Sequence, residues 1–130
     1  MKILVVVFSI VICGGALEVP YELHQEFIAA VTPFISVCEC ETNVDPHLVY
    51  ELIYNLEFAN DACLKCFIKC LFFKLDYFNP DISPNYDAGL SSIPSINVTV
   101  LINCYSQVNT TDLCQLSYDF LKCVANYYKI

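Results

Sequence analysis

Apolar residues recur at intervals of three and four along most of the chain, which predicts amphipathic helices. The first stripe covers residues 21–40 and contains Pro33, which should kink or divide the helix. The second begins at Asp45 and Pro46 and runs to about Phe58. Its start is marked because aspartate is a good N-cap and proline suits the first helical position.

Four more helices are predicted in the second half of the chain, over about residues 61–76, 85–92, 96–107 and 112–128. Ser95 follows Pro94 and can cap the third of them. This segment is rich in Val, Ile and Thr, so a strand remains an alternative there. The pattern as a whole predicts an all-α fold.

The helix predicted over residues 61–76 contains three cysteines that could form disulfides with other helices. Cys63, Cys66 and Cys70 stand at i, i+3 and i+7, so their thiols form one stripe along a single helical face. In an oxidising compartment such a stripe predicts disulfides that hold other helices onto this one.

The first 16 residues are typical of a signal peptide. Lys2 precedes an apolar run over residues 3–12, and the small residues Gly14 and Ala16 follow it. The run is shorter than the about 20 residues that a membrane-spanning helix needs. We expect cleavage after Ala16, leaving one domain over residues 17–130 that is secreted into extracellular fluid.

Charge and composition narrow the functional classes. The chain carries a net charge of −8, which argues against nucleic acid or an anionic membrane surface as a partner. Hydrophobic residues make up 57% of it, including nine Tyr and nine Phe. Such a surplus of apolar surface predicts a cavity or an adhesive exterior.

The sequence contains no residue pattern that favours a catalytic site or a metal-binding site. Cys63 and Cys66 form a C-x-x-C motif, but no βαβ pattern surrounds it, so a redox site is not favoured. A metal would need a fourth ligand and a reducing compartment. His24 and His47 are too few and too far apart for a site and are expected at the surface. We expect no enzyme, no metal and no cofactor.

The cysteine spacing resembles the six-cysteine signature of the insect odorant-binding proteins, the pheromone and general odorant-binding family. The intervals are 27, 3, 33, 9 and 8 residues between Cys38, Cys66, Cys70, Cys104, Cys114 and Cys123. The segments over residues 38–42 and 64–72 also look like the family's. The resemblance implies six helices around an internal apolar cavity. It further implies the disulfides Cys38–Cys70, Cys66–Cys114 and Cys104–Cys123.

Two features depart from that pattern. Cys40 and Cys63 are additional, and a fourth bridge between them stays open against two free thiols. Two sequons are present, at Asn97 and Asn109. Asn109 lies in a predicted loop and is a candidate for glycosylation. Asn97 is expected on the packed face of its helix, seven residues before Cys104, where a glycan would conflict with packing.

The resemblance implies a carrier that binds a small apolar ligand, such as an odorant, a pheromone or a fatty-acid-like molecule. Candidate cavity residues lie on the apolar faces of the predicted helices or just before Pro94: Val31, Phe34, Ile53, Tyr86, Leu90, Ile93, Val98, Leu101, Leu121, Val124 and Tyr128. The hydroxyls of Tyr86 and Tyr128 are the expected polar contacts and would favour a ligand with an oxygen acceptor.

The sequence also suggests candidate protein partners and two alternatives to the carrier function. An olfactory receptor or a second copy of the chain is a candidate protein partner, and stable membrane insertion is not expected. One alternative is a secreted protein that binds or scavenges lipids or amines outside olfactory tissue. Another is a saposin-like helical protein that interacts with membranes through an exposed apolar face.

Overall fold

A computed structural model of the chain describes residues 19–129, so the predicted signal peptide lies outside the described residues. Apart from an isolated bridge between Phe78 and Pro84, the regular structure in this range is helical. This confirms the all-α fold. The helices are α1 Tyr21–Val31, α2 Ile35–Thr42, α3 Pro46–Asn55, α4 Ala62–Lys74, α5 Tyr86–Ser92, α6 Val98–Gln107 and α7 Leu113–Tyr128.

Pro33 divides the first predicted helix, as expected. It lies in a 3-10 turn, Thr32–Phe34, that separates α1 from α2. The Thr32 hydroxyl donates to the carbonyl of Ile28 at 2.6 Å and so binds the last turn of α1. Counted with this bend as one helix, the described residues form the six helices that the resemblance implies.

Short polar side chains begin most of the later helices. Asp45, Asp61, Asn85 and Asp112 are N-caps whose side chains accept from backbone N–H groups of the first turn. The start of α6 was predicted wrongly at Ser95. Asn97 caps it instead, accepting from the N–H of Thr99 at 2.8 Å. Ser95 is engaged elsewhere, because its N–H and its hydroxyl both donate to the carboxylate of Glu26.

The ends of α3 and α4 come earlier than predicted. Leu56 adopts the left-handed conformation with φ 53°, and its N–H donates back to the carbonyl of Leu52 at 3.0 Å. This closes α3 at Asn55, three residues before Phe58. Asp76 likewise has a positive φ of 59°, just after α4 ends at Lys74. The segment 98–107, for which a strand was an alternative, is helical.

Helix α4 is the centre of the fold and packs mainly against α7 and α2. It contributes Leu64, Phe67, Ile68 and Leu71 to the main core, and none of these side chains is exposed to solvent. A smaller cluster, formed by Val100, Leu101, Cys104 and Val124, lies between α6 and α7. The described part of the fold therefore has two apolar centres.

Three disulfides connect the helices. Cys38–Cys70 joins α2 to α4, Cys66–Cys114 joins α4 to α7, and Cys104–Cys123 joins α6 to α7. These are the pairs that the resemblance implies. Bridges of this kind typically stabilise a domain by about 2–4 kcal/mol each, chiefly by restricting the unfolded chain. Helix α4 receives two of them, as its stripe of thiols predicts.

Between residues 19 and 129 the two remaining cysteines are unpaired, so this part of the chain has two free thiols in place of a fourth bridge. Cys40 and Cys63 are both exposed. Cys40 follows the bridged Cys38 by two residues in α2, which places it about 200° around the helix axis. It therefore faces away from α4, where Cys63 lies.

Candidate ligand-binding cavity

A cavity lies between the two apolar clusters. It measures about 100 Å³, counted as the space open to the centre of a water molecule. Helices α1, α4, α5, α6 and α7 and the short segments before α1 and after α3, α4 and α5 supply its wall. The wall residues are Val19, Leu23, His24, Phe27, Leu56, Phe72, Tyr77, Phe78, Pro84, Asn85, Tyr86, Gly89, Ile93, Ile96, Leu101, Tyr105, Leu116, Phe120, Leu121, Val124, Ala125 and Tyr128.

Six of the eleven predicted cavity residues are in this wall. They come from α5 and the residue after it, from α6 and from α7: Tyr86, Ile93, Leu101, Leu121, Val124 and Tyr128. All lie in the second half of the chain. The sequence therefore predicted part of the wall that α5, α6 and α7 supply, and none of the part that the first half of the chain supplies.

The other five predicted residues lie outside the wall. Val31 and Ile53 are fully buried in the main core, and Phe34 packs against that core. Leu90 in α5 and Val98 at the start of α6 are partly exposed and also lie outside it. The apolar face of a helix can contact either packed core or a cavity, and the spacing of apolar residues along the sequence is the same in both cases. The spacing therefore cannot tell core residues from cavity residues.

Several wall residues were not predicted, although some had a recognisable signal. Tyr105 lies one turn after Leu101 in α6, and Phe120 lies one turn before Val124 in α7, so helical spacing places each beside a predicted residue. Leu23 and Phe27 form a similar pair in α1. Tyr77 and Phe78 follow α4 in an irregular segment, where periodicity carries no information.

His24 was expected at the surface, but it is half-buried in the cavity wall. Its ring nitrogen Nε2 lies 2.7 Å from the carbonyl oxygen of Ile53. Since a carbonyl only accepts, Nε2 carries the hydrogen and donates. This bond connects α1 to the last turn of α3.

Aromatic rings form one side of the cavity. The ring of Phe72 lies 5.3 Å from that of Tyr77, and 6.1 Å from each of Phe78 and Phe120, measured between centroids. The contact with Phe120 is edge to face. Aromatic pairs at these distances are favourable beyond their buried area, which gives the cavity a preformed wall.

Two tyrosines in the wall are kept neutral by their surroundings. Burial raises the pKa of Tyr77, while its hydrogen bond to Ser92, 2.6 Å long, acts in the opposite sense. The Ser92 hydroxyl also lies 3.3 Å from the carbonyl oxygen of Gly89, which links Tyr77 to α5 through Ser92. Burial, and secondarily the neighbouring Tyr105, raise the pKa of Tyr86.

Long-range hydrogen bonds hold the edges of the cavity together. The Tyr128 hydroxyl accepts from the N–H of Asn97 at 2.9 Å, and Lys129 Nζ donates to the carbonyl of Leu56 at 3.2 Å. Glu26 in α1 accepts from Ser95, which lies between the wall residues Ile93 and Ile96. The end of α7 and the segment before α6 are thus attached to other parts of the wall.

Both sequon asparagines are exposed. Asn109 lies in the loop between α6 and α7, as predicted. The expected packing conflict at Asn97 is wrong, because this residue is the N-cap and has an extended backbone with φ −91° and ψ 125°. A helical projection does not apply to a residue outside the helix.

The geometry suits an apolar guest. Among the described residues, no Asp, Glu, Lys or Arg contributes to the wall. Between residues 19 and 129 there is no cluster of three or more His, Cys, Asp or Glu that could hold a metal ion. None of the helices in that range is long and apolar enough to cross a bilayer.

Comparison with known proteins agrees with this geometry. The model of the PBP/GOBP family matches residues 20–127, which spans most of the chain and all seven helices apart from the last residue of α7. The comparison with curated proteins gave no match. Members of the family are carriers that bind small hydrophobic ligands. The family match, the three disulfides and the all-α fold together confirm the resemblance, and the chain belongs to the PBP/GOBP family of insect odorant-binding proteins.

Proposed function

We propose that this protein is a secreted carrier that takes up small hydrophobic molecules, such as odorants, pheromones or similar semiochemicals, in an extracellular fluid such as sensillum lymph. The observation that carries the proposal is the cavity between the two apolar clusters. Its position among the helices suits enclosure of a small guest, and the predicted signal peptide supports secretion.

The cavity wall supplies the driving force for such binding. Each Å² of apolar ligand surface removed from water contributes roughly 25 cal/mol. The aromatic contacts around Phe72 and the disulfides of α4 and α7 stabilise the walls before the ligand arrives. Because little has to be ordered on binding, more of this driving force remains as affinity.

A carrier function without catalysis is part of the proposal. Further parts are the extracellular location and the candidate protein partners, an olfactory receptor or a second copy of the chain. N-terminal sequencing of protein secreted by expressing cells tests the location, and we expect the mature chain to begin at Leu17. Sedimentation of the purified protein with and without ligand tests self-association.

Displacement of a fluorescent apolar probe tests the binding function. We expect saturable probe binding at one site per chain and competition by small hydrophobic molecules. Gly89 offers a direct way to fill the cavity, since it lines the wall and a Cβ added there would lie 3.5 Å from Cδ1 of Leu101. A larger side chain at this position would occupy the space, so Gly89→Leu should weaken probe binding at least tenfold.

Ala29→Leu is the matched control, because it adds a leucine to an exposed position of α1 outside the wall. It should leave probe binding unchanged. Circular dichroism of both variants verifies that each is folded. Absence of saturable binding in the unaltered protein, or equal binding in the folded Gly89→Leu variant, would overturn the proposed function.

A further inference from the structure

We propose that Asn97 carries an N-linked oligosaccharide, and that this glycan stands on the outer side of the cavity wall. The modification depends on secretion, which is part of the proposed function, because such glycans are added to chains that enter the secretory pathway. The site is the one at which the sequence had predicted a conflict between a glycan and helix packing.

The local sequence and its exposure suit the modification. Asn97, Val98 and Thr99 form a sequon, with threonine two residues after the asparagine and no proline between them. Asn97 and Thr99 are both exposed, and so are Pro94 and Ser95 just before them. A bulky glycan therefore has room to leave the protein surface here.

Among the described residues, the fold uses every polar group of Asn97 except its amide nitrogen. The backbone N–H donates to the Tyr128 hydroxyl at 2.9 Å, and the backbone carbonyl accepts from the N–H of Val100 at 3.0 Å. The side-chain oxygen Oδ1 accepts from the N–H of Thr99 at 2.8 Å. The nitrogen Nδ2, to which an N-linked glycan is joined, forms no hydrogen bond to the described residues.

Attachment of the glycan preserves the cap of α6. Nδ2 forms a bond to C1 of the first sugar of an oligosaccharide that is carried on a lipid pyrophosphate. The bond between C1 and the pyrophosphate oxygen breaks, the pyrophosphate leaves with that electron pair, and Nδ2 loses one proton. The product is still an amide, so Oδ1 can continue to accept from Thr99 as an N-cap does.

The glycan would stand beside the cavity without entering it. Ile96, which precedes Asn97, and Tyr128, which is bonded to it, both belong to the cavity wall. Asn97 is exposed and does not belong to that wall. A glycan on Nδ2 therefore extends into solvent and leaves the surface that a ligand contacts unchanged.

Asn109 provides a comparison within the same chain. It is the asparagine of the second sequon, is exposed, and lies two residues after α6 ends at Gln107. Asn97 and Asn109 thus border the two ends of α6. When both are occupied, the outer side of this helix, where Ile102 is 47% exposed, lies between two glycans.

The experiment uses the full chain, expressed in eukaryotic cells and collected from their medium. An amidase that releases N-linked glycans leaves aspartate at each position that was occupied, and peptide mass spectrometry locates the conversion. We expect conversion at Asn97 in most molecules, and at Asn109 as well. An untreated sample controls for spontaneous deamidation.

Variants then assign the glycan to Nδ2 of Asn97. Thr99→Ala and Asn97→Asp should each remove the mass of one glycan from the intact protein, whereas Thr99→Ser should retain it. Asn97→Asp keeps a side-chain oxygen for the cap and should remain folded by circular dichroism. Thr111→Ala is the matched control, because it disrupts only the sequon of Asn109 and should leave Asn97 occupied.

Binding of the fluorescent apolar probe tests the position of the glycan. Thr99→Ala, which lacks the glycan, should bind the probe with the same dissociation constant as the glycosylated protein. Tighter binding by this variant would show that the glycan obstructs the cavity and would overturn its placement on the outer side.

The remaining outcomes separate the site from the proposed function. Unmodified Asn97 in the secreted protein, with or without a glycan at Asn109, would overturn the site while leaving the carrier function in place. Retention of the chain inside the cells with the predicted signal peptide still attached would overturn the proposed secretion, and the site with it.

Discussion

The hydroxyl of Tyr128, near the end of α7, accepts a hydrogen bond from the backbone N–H of Asn97, the N-cap of α6, at 2.9 Å. The two residues are 31 positions apart in the chain and meet where the cavity wall ends. The following residue, Lys129, is attached to the carbonyl of Leu56. Two consecutive residues thus fasten the C-terminal end of α7 beside the cavity.

Tyr128→Phe should loosen this attachment. The variant leaves the Asn97 N–H to solvent, so we expect the free energy of unfolding to fall by about 1 kcal/mol or less, given the exposure of the bond. Dissociation of the bound probe should become faster. Urea unfolding and stopped-flow dilution measure the two effects. Tyr127→Phe is the matched control, because Tyr127 is 64% exposed. Equal effects in both variants would contradict the attachment.

The two free thiols should be detectable by mass. Intact-mass measurement of the unreduced, alkylated mature protein should show two modified cysteines, since six of its eight are in bridges and Cys40 and Cys63 are exposed. Cys40→Ser and Cys63→Ser should each remove one modification. No modification at all in the unreduced protein would show instead that these two cysteines are joined.

Phe67 should be among the most sensitive core positions. Its side chain in α4 is completely buried, and Phe67→Ala should lower the free energy of unfolding by about 3–5 kcal/mol through lost burial and a residual cavity. Phe73→Ala in the same helix is the control, because Phe73 is 40% exposed and should cost far less. Urea unfolding compares them, and similar losses would contradict the placement of the core.

Tyr77 should contribute to the loss of stability at alkaline pH. Its pKa is raised by burial in the folded protein, so the folded state favours the neutral phenol. This contribution is fully present below the unfolded pKa of about 10 and is lost as pH rises through the folded pKa. Tyr77→Phe should therefore show a shallower decline in the free energy of unfolding above about pH 10.

The measurement is urea unfolding across that pH range, with Cys40 and Cys63 alkylated first so that thiol exchange does not interfere. Tyr50→Phe is the matched control, since Tyr50 is an exposed tyrosine of α3. A decline in Tyr77→Phe as steep as in the unaltered protein would show that burial of this phenol does not contribute.

Much of the fold could be predicted locally. The starts at Asp45, Asp61 and Asp112 were recognisable because an N-cap and the N–H groups it binds lie within one turn of each other. The predicted start at Ser95 was wrong because the side chain of Ser95 bonds to a distant residue. Its partner, Glu26, is 69 residues away, and no local rule indicates such a contact. The early end of α3 was also missed, because a left-handed leucine at position 56 has no sequence signal.

The sequence by itself determined the class of the molecule: helices where apolar residues recur every three or four positions, and cysteines at spacings that a known family shares. Only the tertiary structure decided which apolar side chains border the hollow. Val31 and Val124 occupy equally apolar helical faces, yet one lies in the main core and the other in the cavity wall. The physical reason is that periodicity reports which face of a helix avoids water. Whether that face meets packed atoms or empty space depends on the arrangement of helices distant in sequence.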